Sequence, residues 1–219
     1  MLYEVEIRLH FENRNAAFKK LPFLRSSLEQ EITWNTTIFG LKLFKAGKLL
    51  RRGVVSMDNE TRYYLGWKGP DTGSFANIRR ELNEEITDGI MDSGVMKMLG
   101  GKSHIKSPEE AVLEMERLGH HPFMSFRGKD ANGYYPLLEL HIKLMTCAEL
   151  KWPLLVELEK MAGTEEEALQ YELELQEICR RLHVLNNLVK EEPPTLLYET
   201  VANKQSGKTG RTTRTESVP

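Results

Sequence analysis

Cysteine is scarce in these 219 residues: Cys147 and Cys179 are too few for a disulfide framework and have no second pair for a structural zinc site. Both read as reduced packing residues. Long apolar runs are absent as well. A bilayer-spanning helix needs about 20 apolar residues, and stretches such as Leu154-Leu155-Val156 fall far short, so no membrane partner is expected. Nor is there an excess of either charge. With 30 Lys+Arg against 32 Asp+Glu, a wholesale nucleic-acid coat is excluded and no stable nucleic-acid complex is expected. The opening Met1-Leu2-Tyr3-Glu4-Val5-Glu6 carries acids where a secretory leader has a basic flank and an apolar stretch, so the expected location is cytoplasmic.

What is present is an ordinary globular composition, 40% hydrophobic and 28% charged, enough for one core. Residues 1–202 read as a single domain. Residues 203–219 are Lys, Ser, Gly, Thr and Arg with almost nothing apolar, which reads as a disordered polar tail. Residues 2–11 alternate strictly, Val5, Ile7 and Leu9 against Glu4, Glu6, Arg8 and His10, the period of a strand. Further strands are expected at 28–37, 41–44, 48–57, 61–68, 76–86, 122–129, 134–145 and 154–159, with turns at Asp58-Asn59, Gly69-Pro70 and Asn132-Gly133. Short strands in succession favour an antiparallel sheet, sandwich or barrel. Helices are expected over 107–118, where Ser107, Pro108 and Glu110 form a start signal, and over 164–182, where Tyr171, Leu175, Ile178 and Leu182 make one stripe. Pro193-Pro194 is read as a break.

Several polar strand faces carry both signs of charge: Glu4, Glu6 and Arg8; Arg79, Glu81, Asn83 and Glu85; Ser125, Arg127 and Lys129; Glu157 and Glu159. Solvation explains any one of these sets. Glu157 and Glu159, however, sit among Leu154, Leu155, Val156 and Leu158. If the sheet curls so that these faces line one cavity, the acids need cations and the bases need anions. A divalent metal with a polyphosphate supplies both, because Mg²⁺ and Mn²⁺ take carboxylate oxygens and Arg and Lys take phosphate oxygens. Glu-x-Glu spacing places two carboxylates about 7 Å apart on one strand face.

These residues resemble the CYTH domain of the triphosphate tunnel metalloenzymes, the class IV adenylyl cyclases, thiamine triphosphatases and inorganic tripolyphosphatases. Glu4-Val5-Glu6-Ile7-Arg8 is similar to the family's opening E-x-E-x-K, with Arg8 in place of lysine. Trp67-Lys68-Gly69-Pro70 followed by Arg79-Arg80-Glu81 resembles its K-G-P and R-x-E-x-E segments, with Asn83 where a further carboxylate is expected. Arg117-Leu118-Gly119, Pro122 and Arg127-Gly128-Lys129 resemble its L-G-F, proline and K-x-R run, and Glu157-Leu158-Glu159 its closing E-x-E. Two positions depart from the pattern: Gly53 replaces the second base of L-R-x-R after Arg51, unless Arg52 shifts register, and Met145 stands near an expected aspartate.

The resemblance implies an α+β fold, a closed eight-stranded antiparallel β tunnel with peripheral helices. It implies Mg²⁺ or Mn²⁺ held by Glu4, Glu6, Glu81, Glu157 and Glu159, with Glu4, Glu6, Lys68, Glu157 and Glu159 catalytic. Arg8, Arg51, Lys68, Arg79, Arg127 and Lys129 would grip the phosphates of a triphosphate-containing small molecule. The expected activity is hydrolysis of inorganic tripolyphosphate, thiamine triphosphate or a nucleoside triphosphate. A cyclase making cAMP and pyrophosphate from ATP, or a catalytically weak polyphosphate-binding module, are the alternatives, in a monomer or homodimer. Other signals are weaker. Gly100-Gly101-Lys102-Ser103 lacks the first glycine of a P-loop, at Met96, and reads as a connection. His10 and His141 lie on polar strand faces within potential reach of a tunnel. Trp34, Trp67 and Trp152 read first as packing residues.

Overall fold

The computed structural model describes residues 2–206 apart from 59, 87, 88 and 153. Eight long strands form the body: β1 (Leu2–Phe11), β2 (Leu28–Phe39), β3 (Leu49–Met57), β4 (Glu60–Lys68), β5 (Asn77–Ile86), β8 (Pro122–Tyr135), β9 (Leu140–Thr146) and β10 (Leu154–Ala162). The pairings run β10-β9-β8-β2-β3-β4-β5-β1, every one antiparallel, and β1 then pairs β10 from Tyr3↔Ala162 to Phe11↔Leu154. The sheet therefore closes on itself as an eight-stranded barrel. β1 stays paired with β5 only through Glu6, and β11 (Leu188–Val189) takes over opposite Arg8 and Leu9.

The alternation of each strand sorts its side chains between two environments. On the outside, Val5, Ile7, Leu9, Val156, Leu158, Ile142 and Leu144 pack under α6 (Glu165–Arg181) and against Ala17 of α1 (Arg14–Lys20), which the short α2 (Leu24–Ser27) follows. Cys179 belongs to this core and Cys147 to another, both as free, buried thiols. A second outer core joins Phe39, Leu50 and Leu65 to a small insertion made of β6 (Met91–Asp92), α4 (Gly94–Met98), β7 (His104–Ile105) and α5 (Pro108–Arg117). Ser107 caps α5 by accepting from the Glu110 N–H at 3.2 Å, and Thr164 caps α6 the same way through Glu167 at 3.2 Å. The third cluster, Trp34, Leu49, Phe126, Met145 and Leu155 with Leu196 and Leu197 of α7 (Pro193–Ser206), closes one end of the barrel.

Several expectations are corrected. Residues 41–44 belong to a helix, α3 (Leu41–Lys45), entered through Gly40 at φ 70°. Asn132-Gly133 is no turn: β8 runs on to Tyr135 and reverses at 136–139. A Cβ on Gly133 would stand 1.6 Å from the Ser27 carbonyl oxygen, so the glycine admits a crossing backbone at the bulge between Leu28 and Gln30. Gly100, at φ 74°, ends α4, with the Gly101 N–H donating to the Met96 carbonyl at 2.9 Å, which accounts for the glycine pair without a P-loop. Pro193-Pro194 opens α7, where the missing amide hydrogens cost nothing. That helix covers 203–206 of the stretch read as a tail, and 207–219 lie outside the described residues. Asp58, at φ 50°, is in its expected turn, while residue 59 lies outside the described residues. No helix among the described residues is long and apolar enough to cross a membrane.

Candidate functional site

Inside the barrel the polar strand faces converge on a cavity of about 410 Å³. Cross-strand register sets acids against bases: Arg8 opposite Glu157, Glu157 opposite Lys143, Glu4 opposite Arg79, and Lys68 opposite Glu81. Arg8, 2% exposed, donates from Nε to Glu157 Oε1 at 3.0 Å and from Nη1 to Asn77 Oδ1 at 2.8 Å, and pairs with Glu6. Lys143 Nζ donates to Glu157 Oε2 at 2.6 Å. Lys68 pairs with Glu4 and lies 3.7 Å from Glu6, and Arg51 Nη2 donates to Glu81 Oε1 at 3.2 Å.

Two kinds of carboxylate result. Burial holds Glu4, Glu6 and Glu159 above the usual carboxylate range, with Lys68 opposing at Glu4, Arg8 at Glu6 and Lys143 at Glu159, while neighbouring acids add to the rise. Burial would raise Glu157 too, but Lys143 and Arg8 outweigh it and hold that carboxyl well below the range. Burial opposes charge on Lys68, yet Glu4, Glu81 and Glu6 keep it protonated. Ligand atoms of Glu4, Glu6 and Glu159 lie within 4.8 Å of one another. At an effective dielectric near 20, two like charges at that spacing repel by about 3 kcal/mol. A divalent cation accepting hard oxygen ligands offsets that repulsion, so the donor set fits Mg²⁺ or Mn²⁺. Glu157 is committed to Arg8 and Lys143 and stands outside the trio.

Of the sequence-expected residues, Glu6, Arg8, Arg51, Lys68 and Glu157 line the cavity, and Glu4, Arg79, Glu81 and Glu159 adjoin them through ion pairs and the carboxylate trio. Arg127 and Lys129 do not. β8 presents Phe126, Asp130 and Asn132 to the cavity, and the opposite parity leaves Arg127 and Lys129 exposed on the outer face, where the Arg127 N–H donates to Glu149 at 3.3 Å. Arg52 does not shift inward either; its guanidinium lies over the Tyr63 ring at 5.2 Å. Gly53, Asn83 and Met145, the departures from the family pattern, all line the cavity. Neither His10, stacked on Trp152, nor His141, beside Tyr134, lines it. Trp34 does, and Trp67 packs in the outer core.

Four polar residues escaped the sequence reading. Lys143 lies opposite the Leu140, Ile142, Leu144 face of β9, and Asn77 is two residues before Arg79, so parity could have found both. Asp130 accepts from Trp34 Nε1 at 2.6 Å, and burial, only partly relieved by Lys143 and that bond, pushes its carboxyl up to about 6. Glu192 lies between β11 and α7 with no periodicity to mark it; its Oε1 is 3.0 Å from Arg79 Nε and 3.5 Å from Arg8 Nη2.

No family profile and no curated protein matches the sequence. Solved structures match the fold. A protein from Pyrococcus horikoshii superposes with a TM-score of 0.66 at 18% identity, over 90% of this chain and 99% of its own. A candidate adenylate cyclase from Vibrio parahaemolyticus gives 0.64 at 14% identity, over 90% and 98%. HpAC1 from Hippeastrum, a candidate adenylyl cyclase with a dominant triphosphatase activity, gives 0.56 at 12% identity, over 91% and 96%. The chain thus has the tunnel fold of these structures, the CYTH-like architecture that its strand motifs resemble.

Proposed function

We propose that the protein is a metal-dependent phosphohydrolase whose substrate is a triphosphate bound in the tunnel. The observation that carries this reading is a cavity inside the barrel lined by Glu6, Arg51, Lys68 and Lys143, with the carboxylates of Glu4 and Glu159 converging on that of Glu6. Glu4, Glu6 and Glu159 would hold Mg²⁺ or Mn²⁺. Such an ion, when bound, supplies charge neutralisation at phosphate oxygens. Arg51, Lys68 and Lys143 bind and orient the phosphate chain, and the barrel wall keeps bulk water from competing for it. Phosphoryl transfer asks a protein mainly for such positioning and electrostatics. Asp130, held by Trp34 and with its carboxyl raised by burial to about 6, is suited to keep or accept a proton beside the bound substrate.

Trp34, Phe126, Ile32 and Val55 line the same cavity, and this apolar wall favours a triphosphate with an organic end over the bare inorganic chain. It also motivates the second reading, a cyclase acting on ATP. Purified protein is to be incubated with Mg²⁺ or Mn²⁺ and tripolyphosphate, thiamine triphosphate or ATP, resolving phosphate, pyrophosphate and cAMP. Phosphate release is expected. cAMP with pyrophosphate would replace the first reading by the second, and no product from any substrate would refute both.

A further inference from the structure

The C-terminal segment brings a carboxylate to two of the tunnel's arginines. β11 pairs with Arg8 and Leu9, and Lys190 then pins the chain, 3.3 Å from Asp71, donating to the Gly73 carbonyl at 3.2 Å and to the Ala76 carbonyl. Two residues later Glu192, 6% exposed, sits between Arg79 and Arg8, and its carbonyl accepts from the Leu196 N–H at 3.0 Å as α7 begins. The segment is thus anchored on both sides of the carboxylate.

The contact is an ion pair without directed hydrogen bonding. Arg79 Nε and Glu192 Oε1 are both buried without an aligned hydrogen-bond partner, although they are 3.0 Å apart. Arg79 spends Nη1 on the Gly47 and Gly69 carbonyls, so its Nε edge is the part that faces Glu192. A carboxylate at that edge makes the kind of charge-assisted contact that a phosphate oxygen makes with a guanidinium. Pro193 and Pro194, which also line the cavity, and Leu196 and Leu197 of the end plug follow immediately, so Glu192 marks where the charged wall meets the closed end.

We propose that Glu192 is a chain-length stop. It takes the Arg8–Arg79 pair for the protein itself, so an incoming phosphate chain is held by Arg51, Lys68 and Lys143 and ends before the plug. Removing its charge exposes a further anion subsite at Arg79 Nε and the adjoining edge of Arg8. This inference rests on the tunnel being a polyphosphate site, and it goes beyond that reading in assigning Glu192 control over the length accepted.

The test is titration calorimetry of pyrophosphate and tripolyphosphate into metal-free protein at fixed ionic strength, comparing the unaltered chain, Glu192→Gln and the exposed neighbour Glu191→Gln. Tripolyphosphate should bind Glu192→Gln about tenfold more tightly, since a like charge beside the anion costs heavily. Pyrophosphate should gain little, and Glu191→Gln should change neither. Equal gains for both anions would reveal a general charge effect and overturn the stop, as would unchanged or weaker tripolyphosphate binding. No binding of either anion to any of the three proteins, in a repeat with Mg²⁺ as well as without metal, would instead overturn the polyphosphate reading itself. If Glu192→Gln does not fold, Glu192→Asp, which withdraws the carboxylate by one methylene, takes its place. Tighter tripolyphosphate binding supports the stop, and unchanged binding overturns it.

Discussion

Glu4 and Glu157 are both buried tunnel carboxylates, yet substitution should affect them in opposite ways. Glu4→Gln relieves crowding among Glu4, Glu6 and Glu159 while an amide oxygen still faces Lys68. It is expected to abolish metal-dependent turnover and weaken Mn²⁺ binding, read by electron paramagnetic resonance, with the melting temperature little changed. Glu157→Gln strips the charge partner from Arg8 and Lys143 together. Leaving buried charges uncompensated costs about 3–5 kcal/mol, so this variant should lose stability first, visible in its urea midpoint. Asp130 makes a pH prediction. Its carboxyl is raised to about 6 in the folded protein, so between the ordinary 3.8 and about 6 the native state keeps a proton that the unfolded chain has released. Its favourable contribution is complete below pH 3.8 and lost as pH rises through about 6, a loss on the order of 3 kcal/mol. Asp130→Asn should flatten that part of the stability profile measured by urea denaturation at pH 4 to 7, and an unchanged profile would refute the assignment. The same scale shows what the sequence could disclose. Glu4, Glu6, Arg8, Glu157 and Glu159 were legible because their apolar partners bury the opposite faces. Arg127 and Lys129 misled because alternation separates two faces of β8 without saying which turns inward, and charge suggested the wrong one.

At the scale of elements, β1, the helices α5 and α6 and most strand boundaries could be read from period and start signals, because their residues answer to local geometry. The exceptions are places where tertiary contacts decide. Leu41-Lys42-Leu43-Phe44 alternates as a strand would, but folds as α3 with Phe44 against Phe123 and Tyr198. Gly133 looked like half of a turn and is instead the point where Ser27 crosses β8. Gly133→Ala should therefore cost about 1–3 kcal/mol through forced backbone displacement, even though it lies in a strand where alanine would ordinarily be tolerated. Chemical denaturation measures this directly, and a neutral result would contradict the close approach.

Over the whole molecule, the barrel reverses the usual placement of polarity. Its helices cover apolar strand faces on the outside, and its interior carries charge. β1 is paired with β10 from Tyr3 to Phe11 and with β5 and then β11 on its other edge. Amides of Val5 to Leu9 should therefore exchange with solvent only through global opening, while the two-residue strands β6 and β7 exchange far sooner, as hydrogen-exchange mass spectrometry would resolve. If the β1 amides exchange as fast as those of β6, the barrel is not the cooperative unit.

The seam between β1 and β10 joins residues about 150 positions apart. On the ribosome, β1 emerges long before β10 and must wait for it before that partner exists. Until then its row of unpaired backbone groups is open to any other extended chain. For most of its synthesis the protein has every residue of the carboxylate trio except Glu159 and no enclosure around them. The cavity comes into being in one late step, when β10 docks.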